Sequence, residues 1–193
     1  MKEFTARFAL KVAGTLTAIA LAVAALLGAV NHITADPIAA RLAESTRVAL
    51  SAVAPAGTDF TPLELSEEAV AAAAAQGGTL KELYAMSAGG YAVKVVTSGS
   101  QGNIEMIVGV DETGAITGVS IVDNAETAGI GSKVMENLPN EAGAPVLDQF
   151  IGLSGAGTLA VKKNIRPVTG ATVSTRGVTA GANAALAVAE LLG

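Results

Sequence analysis

The sequence predicts an α+β fold: an N-terminal membrane-spanning helix, then one domain with an antiparallel sheet and flanking helices. Three observations carry this. A long uncharged apolar run stands near the start, a central stretch alternates in short runs between turn residues, and an Ala-rich segment of helical period closes the chain. With 193 residues there is room for one compact domain and one membrane element.

Residues 12–30, VAGTLTAIALAVAALLGAV, are nineteen residues without a charge. At a rise of about 1.5 Å per residue they suffice to cross the hydrocarbon core. A cleaved signal peptide is the competing reading, but its apolar core is shorter, and VNHITA offers no clean Ala-x-Ala site. Lys2, Arg7 and Lys11 precede the run and outweigh Glu3, whereas Asp36 comes after it before any basic residue. The positive-inside rule therefore places residues 1–11 in the cytoplasm and the rest of the chain outside. Asp36 followed by Pro37 reads as an N-cap with proline at the first helical position. A second helix is expected from there to about Val53, inside a spacer over 31–57 that ends at the APAG break and stands the domain, 58–193, off the bilayer.

Ser66, with Glu67 and Glu68 in the first turn, opens a short Ala-rich helix that Gly77 and Gly78 close. Between Leu80 and Val122 the runs LKELYAMS, YAVKVVTS, IEMIVGV and AITGVSIV are separated by Gly89-Gly90, GSQGN and DETG. That spacing predicts an antiparallel meander. The Gly-rich loop NAETAGIGSK follows, then a short helix from Ser132 to Leu138 and a last strand from Thr158 to Lys162. The final helix is expected over 174–192, with Val178, Ala182, Ala185 and Leu186 on its apolar face.

Composition narrows the chemistry. The absence of cysteine excludes disulfides, iron–sulfur clusters, Cys-ligated zinc and thiol catalysis. One histidine, His32 at the outer edge of the apolar run, has no second His or Cys to complete a metal site and reads as an interfacial polar residue. Redox chemistry would thus rest on an organic cofactor. The net charge of -5, with no basic run, argues against a nucleic-acid partner. Aromatics are sparse, so a bound planar ring would meet Tyr84, Tyr91, Phe60 or Phe150, and otherwise aliphatic side chains. Glu67-Glu68 serve the helix dipole, and Asp111 and Glu112 shape a turn beside Gly114.

The segment that offers a site is TGAT, Thr169–Thr172, followed by VSTRGVTAGANAA. Small residues and hydroxyls stand there at a helix N-terminus, where free amides and the helix dipole would hold a phosphate, and Gly170 and Ala171 let a ligand approach the backbone. Taken alone, the same four residues read more readily as a plain helix cap.

TGATVSTRGV resembles the flavinylation motif of the FMN-binding domain shared by the G subunit of the Rnf electron transport complex and the C subunit of the sodium-translocating NADH:quinone reductase. A second stretch, VGVDETGAITGVSIVDNAETAGIGSK, resembles that family's strand, turn and strand followed by ETPGLG, with Glu126, Thr127, Gly129, Gly131 and Lys133 matching. VLDQFIG resembles the stretch after it. The order of elements is similar over nearly the whole chain, and its length suits the G-type subunit.

The resemblance implies FMN carried covalently on Thr172 through a phosphoester, installed by a flavin transferase. It implies a phosphate held by the amides of Thr169, Gly170, Ala171 and Thr172 together with Ser174 and Thr175, with Val173 also at the cofactor, and a loop in which Glu126 and Thr127 hydrogen-bond the ring and Gly129, Gly131 and Lys133 close over it. It further implies an electron-transfer subunit of a ferredoxin:NAD type ion-translocating complex, not catalytic alone, partnered by other membrane and redox subunits. Such a subunit sits in the cytoplasmic membrane of a bacterium or archaeon, single-pass, with the FMN domain on the extracytoplasmic side. Two positions depart from the pattern. Ala128 replaces the proline of ETPGLG, and Arg166 stands where the family usually has an Asp associated with transferase recognition. Arg166 has two open readings, altered recognition or pairing with the phosphate. Two other functions stay open beside this one: a non-redox anchored scaffold of the envelope, and a covalent-FMN carrier of another extracytoplasmic chain.

Overall fold

The computed structural model describes the backbone of residues 2–193 and the side chains of 7–193. The orienting charges Lys2 and Glu3 lie outside the described side chains. Helix α1 runs Lys2–Val53 with Pro37 inside it. The expected break at Asp36-Pro37 therefore does not occur. Proline removes one backbone donor, but the helix formers on both sides, AARLAESTRVAL after it and the Ala/Leu-rich run before it, carry the helix through. Among the described residues this is the helix long and apolar enough to cross a membrane.

The chain divides into two compact units, Met1–Ala43 and Glu44–Gly193. In the first, Leu16, Leu21 and Leu26 are exposed side chains of α1. The second contains residues 44–53, the end of the expected spacer, as part of its packing. Its sheet is a five-stranded antiparallel meander in sequence order: β1 Phe60–Pro62, β2 Thr79–Met86, β3 Tyr91–Ser98, β4 Asn103–Val110 and β5 Ile116–Asn124. The four long strands match the sequence expectation. The short edge strand β1 ends in Pro62, a residue tolerated only where no neighbour needs its missing donor.

Ser66 Oγ accepts from Ala69 N at 3.1 Å and caps α2, Glu67–Ala75, as expected. Helix α2 and the closing helix α4, Thr172–Leu192, cover one face of the sheet. There Val93, Val95, Met106, Val108 and Val110 pack with Val178, Ala182, Ala185 and Leu186. The end of α1 covers the other face, where Ala49, Leu50 and Val53 meet Met86, Ala92, Ile107 and Val122. β3 and β4 are thus buried on both sides, which accounts for their nearly continuous apolar runs.

The seat for α1 is cut by two cross-strand partners, Gly109 and Gly118. A Cβ on Gly109 would strike the Val53 carbonyl, and one on Gly118 would lie 3.1 Å from Val53 Cα. Thr117 Oγ1 donates to the Val53 carbonyl, satisfying one of the orphan acceptors at the helix end. Beside this seat Lys94 Nζ, buried, meets Glu82 and Glu105, each at 2.9 Å, and Thr46 Oγ1 at 3.1 Å. Burial works against the Lys94 charge, but hydrogen bonds to Glu105 and Glu82 outweigh it and raise the pKa. Glu82 is also opposed by burial, yet Tyr84 and Lys94 hold its carboxyl below the ordinary range. Burial and the bond to Glu82 push Tyr84 up to about 12.

Three further expectations need correction. No strand forms over 158–162. Instead Asn164 Oδ1 accepts from Ala160 N at 2.7 Å, Lys162 takes φ 71°, and Lys162 N donates to Ile165 O at 2.8 Å. Side-chain capping of that turn competes with strand pairing. Helix α3 spans only Ser132–Met135, because Asn137 at φ 53° turns the chain before Leu138. Helix α4 starts at Thr172 rather than Ser174.

Candidate functional site

The position of α4 follows from its packing. Gly177 lies so close to β3 that a Cβ would come within 2.6 Å of the Ser98 carbonyl, and Thr97 Oγ1 donates to Gly177 O at 2.9 Å. This fixes the N-terminus of α4 at the sheet's end. Ala171 is the N-cap, with no side-chain hydrogen bond to the first turn. The leading amides of the helix are therefore left for another acceptor. Gly170, at φ 84° with nothing near its missing Cβ, supplies the left-handed turn before it and keeps the approach open. Thr172 is part-exposed as the first residue of the helix.

Thr172 opens into a groove of about 620 Å³, the scale of a small-molecule site. Thr169, Gly170, Arg166 and Lys162 line it as well, and Asn140 and Glu141 come from a separate loop. Arg166 and Lys162 are exposed cations. Gln149 clamps Arg166 at the backbone: Arg166 N donates to Gln149 Oε1 at 2.9 Å, and Gln149 Nε2 donates to Arg166 O at 3.0 Å. Lys162 is held by the capped turn described above. Thr169 Oγ1 donates to the Glu141 carboxylate.

Asn140 is buried, 7% exposed, beneath the exposed residues Glu141 to Ala144. Its Oδ1 accepts from Ala142 N at 2.9 Å and Ala144 N at 3.3 Å, and its own N donates to Ala144 O at 2.9 Å. Two donors fix which end of the amide is oxygen. Nδ2 is left buried with no partner, a state that costs roughly 1–3 kcal/mol in a protein interior. Asn140, Glu141, Val168 and Thr169 also form a shared wall with a second groove of about 370 Å³, lined further by Lys133 and Leu138.

The loop after β5 reaches this region through Glu126. Its Oε1 accepts from Ser100 N at 2.6 Å and Gln101 N at 3.3 Å, and its Oε2 accepts from Ser174 Oγ at 2.6 Å. A Cβ on Gly99 or Gly131 would strike this carboxylate. Glu126 is therefore wedged between two glycines and fastens the first turn of α4. Thr127 O accepts from Ile130 N and Ser132 N, and Gly129, at φ 79°, donates to Ser132 Oγ at 2.9 Å.

The structure thus gathers Thr169, Gly170 and Thr172 in one groove, with Lys133 in its neighbour, and joins Glu126 to Ser174. Ala171 is buried and Val173 is half exposed. Thr175 differs from its expected place at a phosphate: it is fully buried, and its hydroxyl donates to Ala171 O at 2.9 Å inside the helix. Sequence reasoning missed Asn140, Glu141, Lys162 and Gln149. N-E-A-G is legible as a turn, but its meeting with TGAT is a tertiary event.

Residues 99–187 match the family described as FMN-binding domain. The chain is similar, at 29% identity over 185 residues, to the G subunit of the Na(+)-translocating ferredoxin:NAD(+) oxidoreductase complex of Acetobacterium woodii, an alignment covering 88% of this chain and 86% of that protein.

Proposed function

Proceeding from an FMN-binding domain over residues 99–187, we propose that this chain is an electron-transfer subunit carrying FMN as a phosphoester on Thr172, in a complex of the ferredoxin:NAD(+) oxidoreductase type named for its relative. The single observation behind the covalent reading is that a part-exposed hydroxyl stands at an uncapped helix N-terminus, facing a groove with two exposed cations.

The residues fit the group. The amides of Thr172, Val173 and Ser174 point out of the helix end with the positive end of its dipole, and Gly170 leaves the backbone open to a phosphate. Arg166 and Lys162 supply positive charge in the same groove, which favours phosphate pairing over the other reading of Arg166. Ser174 and Thr175 contribute through position: Ser174 ties the first turn to Glu126, and Thr175 stiffens the turn from within. Glu126, filled by three donors from the chain, holds the loop bearing Thr127, Gly129, Gly131 and Lys133 against α4 rather than offering a free acceptor. Of that loop, Lys133 lines the neighbouring groove, where the ring would lie. The isoalloxazine supplies the electron chemistry, and the protein supplies orientation and tuning.

The apolar run of α1 is read as a single membrane pass, with the N-terminus inside and the FMN domain on the extracytoplasmic side. A covalent tether there keeps the flavin from being lost. The partners on this reading are the other membrane and redox subunits of the complex, with a flavin transferase during maturation.

The test is denaturing electrophoresis under ultraviolet light, of chain co-expressed with a flavin transferase. A fluorescent band is expected in the native chain and none in Thr172→Ala, with the tryptic peptide of the native chain heavier by one FMN less water. A colourless native chain rejects the electron carrier in favour of a scaffold.

A further inference from the structure

Asn140, whose buried Nδ2 has no partner, is one of the residues that line both the Thr172 groove and its neighbour. It belongs to no motif and is not needed by the fold, which uses only the Oδ1 and backbone of this residue. Every other buried side-chain donor among the described residues finds an acceptor. A fixed donor without a partner, in the wall of a ligand groove, is a group waiting for an acceptor that the chain does not supply.

The chemistry of the wall selects the acceptor. Glu141, next to Asn140 in the chain, would repel a phosphate placed at Asn140, whereas Lys162 and Arg166 supply positive charge elsewhere in the lining of the same groove. A neutral, buried amide with apolar Val168 beside it suits an uncharged carbonyl on a planar ring. We propose that Asn140 is a cofactor-binding residue whose Nδ2 donates to a ring carbonyl of the flavin attached at Thr172. The nitrogen is shielded from water in the structure, beneath the exposed turn Glu141 to Ala144. The Thr169 to Glu141 hydrogen bond ties that turn to the attachment segment. Seating of the ring displaces this strap and exchanges one exposed hydrogen bond for one buried one.

This inference rests on FMN attachment at Thr172, so the experiment separates the two. The full chain is matured with its transferase as native protein and as Asn140→Asp, and both are repeated on Thr172→Ala. Asp keeps an oxygen for Ala142 N and Ala144 N and removes the donor, but adds a negative charge. Asn140→Leu, which removes the donor without a charge, is therefore measured beside it and is expected to shift the flavin midpoint potential and the flavin-dependent Tm in the same direction. Attachment, read by the fluorescent band, is expected in native and Asn140→Asp chains alike. The rise in Tm that flavin brings to the native chain is expected to vanish in Asn140→Asp, and the flavin midpoint potential to move negative, because a donor to the ring carbonyl favours the electron-rich reduced ring. On Thr172→Ala, Asn140→Asp measures the cost of the substitution to the fold alone, and the flavin-dependent change in Tm is read against it. An absent band in the native chain overturns the attachment. A loaded Asn140→Asp chain with native potential and native flavin-dependent Tm overturns the role of Asn140 alone. Should Asn140→Asp fail to fold, the Asn140 side-chain amide resonances of the labelled native chain decide. A shift and slowed exchange relative to Thr172→Ala support the bond, and unchanged resonances reject it.

Discussion

Lys94 carries a charge into the second face of the sheet, and its partners make the domain's stability depend on pH at both ends. Glu82 has a folded pKa below its ordinary 4.5, and Asp111, held foremost by the Thr113 hydroxyl, lies below 3.8. A depressed carboxyl contributes stability that is present above the unfolded value and lost as pH falls through the folded one. Lys94 is raised above 10.5 and Tyr84 from 10.0 to about 12. A raised value contributes below the unfolded pKa and is lost as pH rises through the folded one. Thermal melts of the domain are expected to be flat between about pH 5 and pH 9.5 and to fall on either side. Tyr84→Phe should flatten the alkaline limb between pH 10 and about 12, and an unchanged limb there would remove Tyr84 from the account. At the site, Thr172 and Asn140 show two kinds of legibility. A hydroxyl in TGAT carries its own signal, whereas an asparagine in N-E-A-G reads as a turn residue, because its missing acceptor exists only once the loop has folded.

At the scale of elements, α4 is the part on which the site depends, and its placement is set by contact rather than propensity. Gly177→Ala would put a Cβ 2.6 Å from the Ser98 carbonyl, a backbone atom that cannot swing away. Overpacking of this kind costs about 2 kcal/mol, so Tm is expected to fall by roughly 4–8 °C for a domain of this size. A native Tm would show that α4 does not lie this close to β3. The meander is readable because turn residues punctuate it, and α2 because Ser66 and the two glutamates mark its start. The strand expected over 158–162 and the break expected at Pro37 fail for related reasons. In the first, Asn164 captures a backbone donor that a strand would have used. In the second, favourable residues on both sides outweigh one missing bond.

For the whole molecule, the compact unit begins at Glu44, inside α1. A fragment of residues 44–193 is expected to be soluble and to melt in a single transition. A fragment of 58–193 strips Leu50 and Val53 from the second face and uncovers Met86, Ala92, Ile107 and Val122. At about 1.5–3 kcal/mol for each large side chain, the loss is about 3–6 kcal/mol. Equal melting temperatures for the two fragments would show that residues 44–53 do not belong to the core. The TGAT motif and the loop from Glu126 to Lys133 point to an FMN-binding domain, and residues 99–187 match that family.

The apolar helix, the four long strands, the closing helix and the threonine at its mouth can all be read from the linear chain, because each is encoded in local period, turn chemistry or a contiguous motif. Folding in three dimensions adds two things: the end of α1 becomes a core element, seated on Gly109 and Gly118, and Asn140, Lys162 and Arg166 come to share a groove with Thr172. Those residues lie up to dozens of positions apart. What joins them is close packing of helix on sheet and the capping of two loops, and neither leaves a pattern in the linear order of residues.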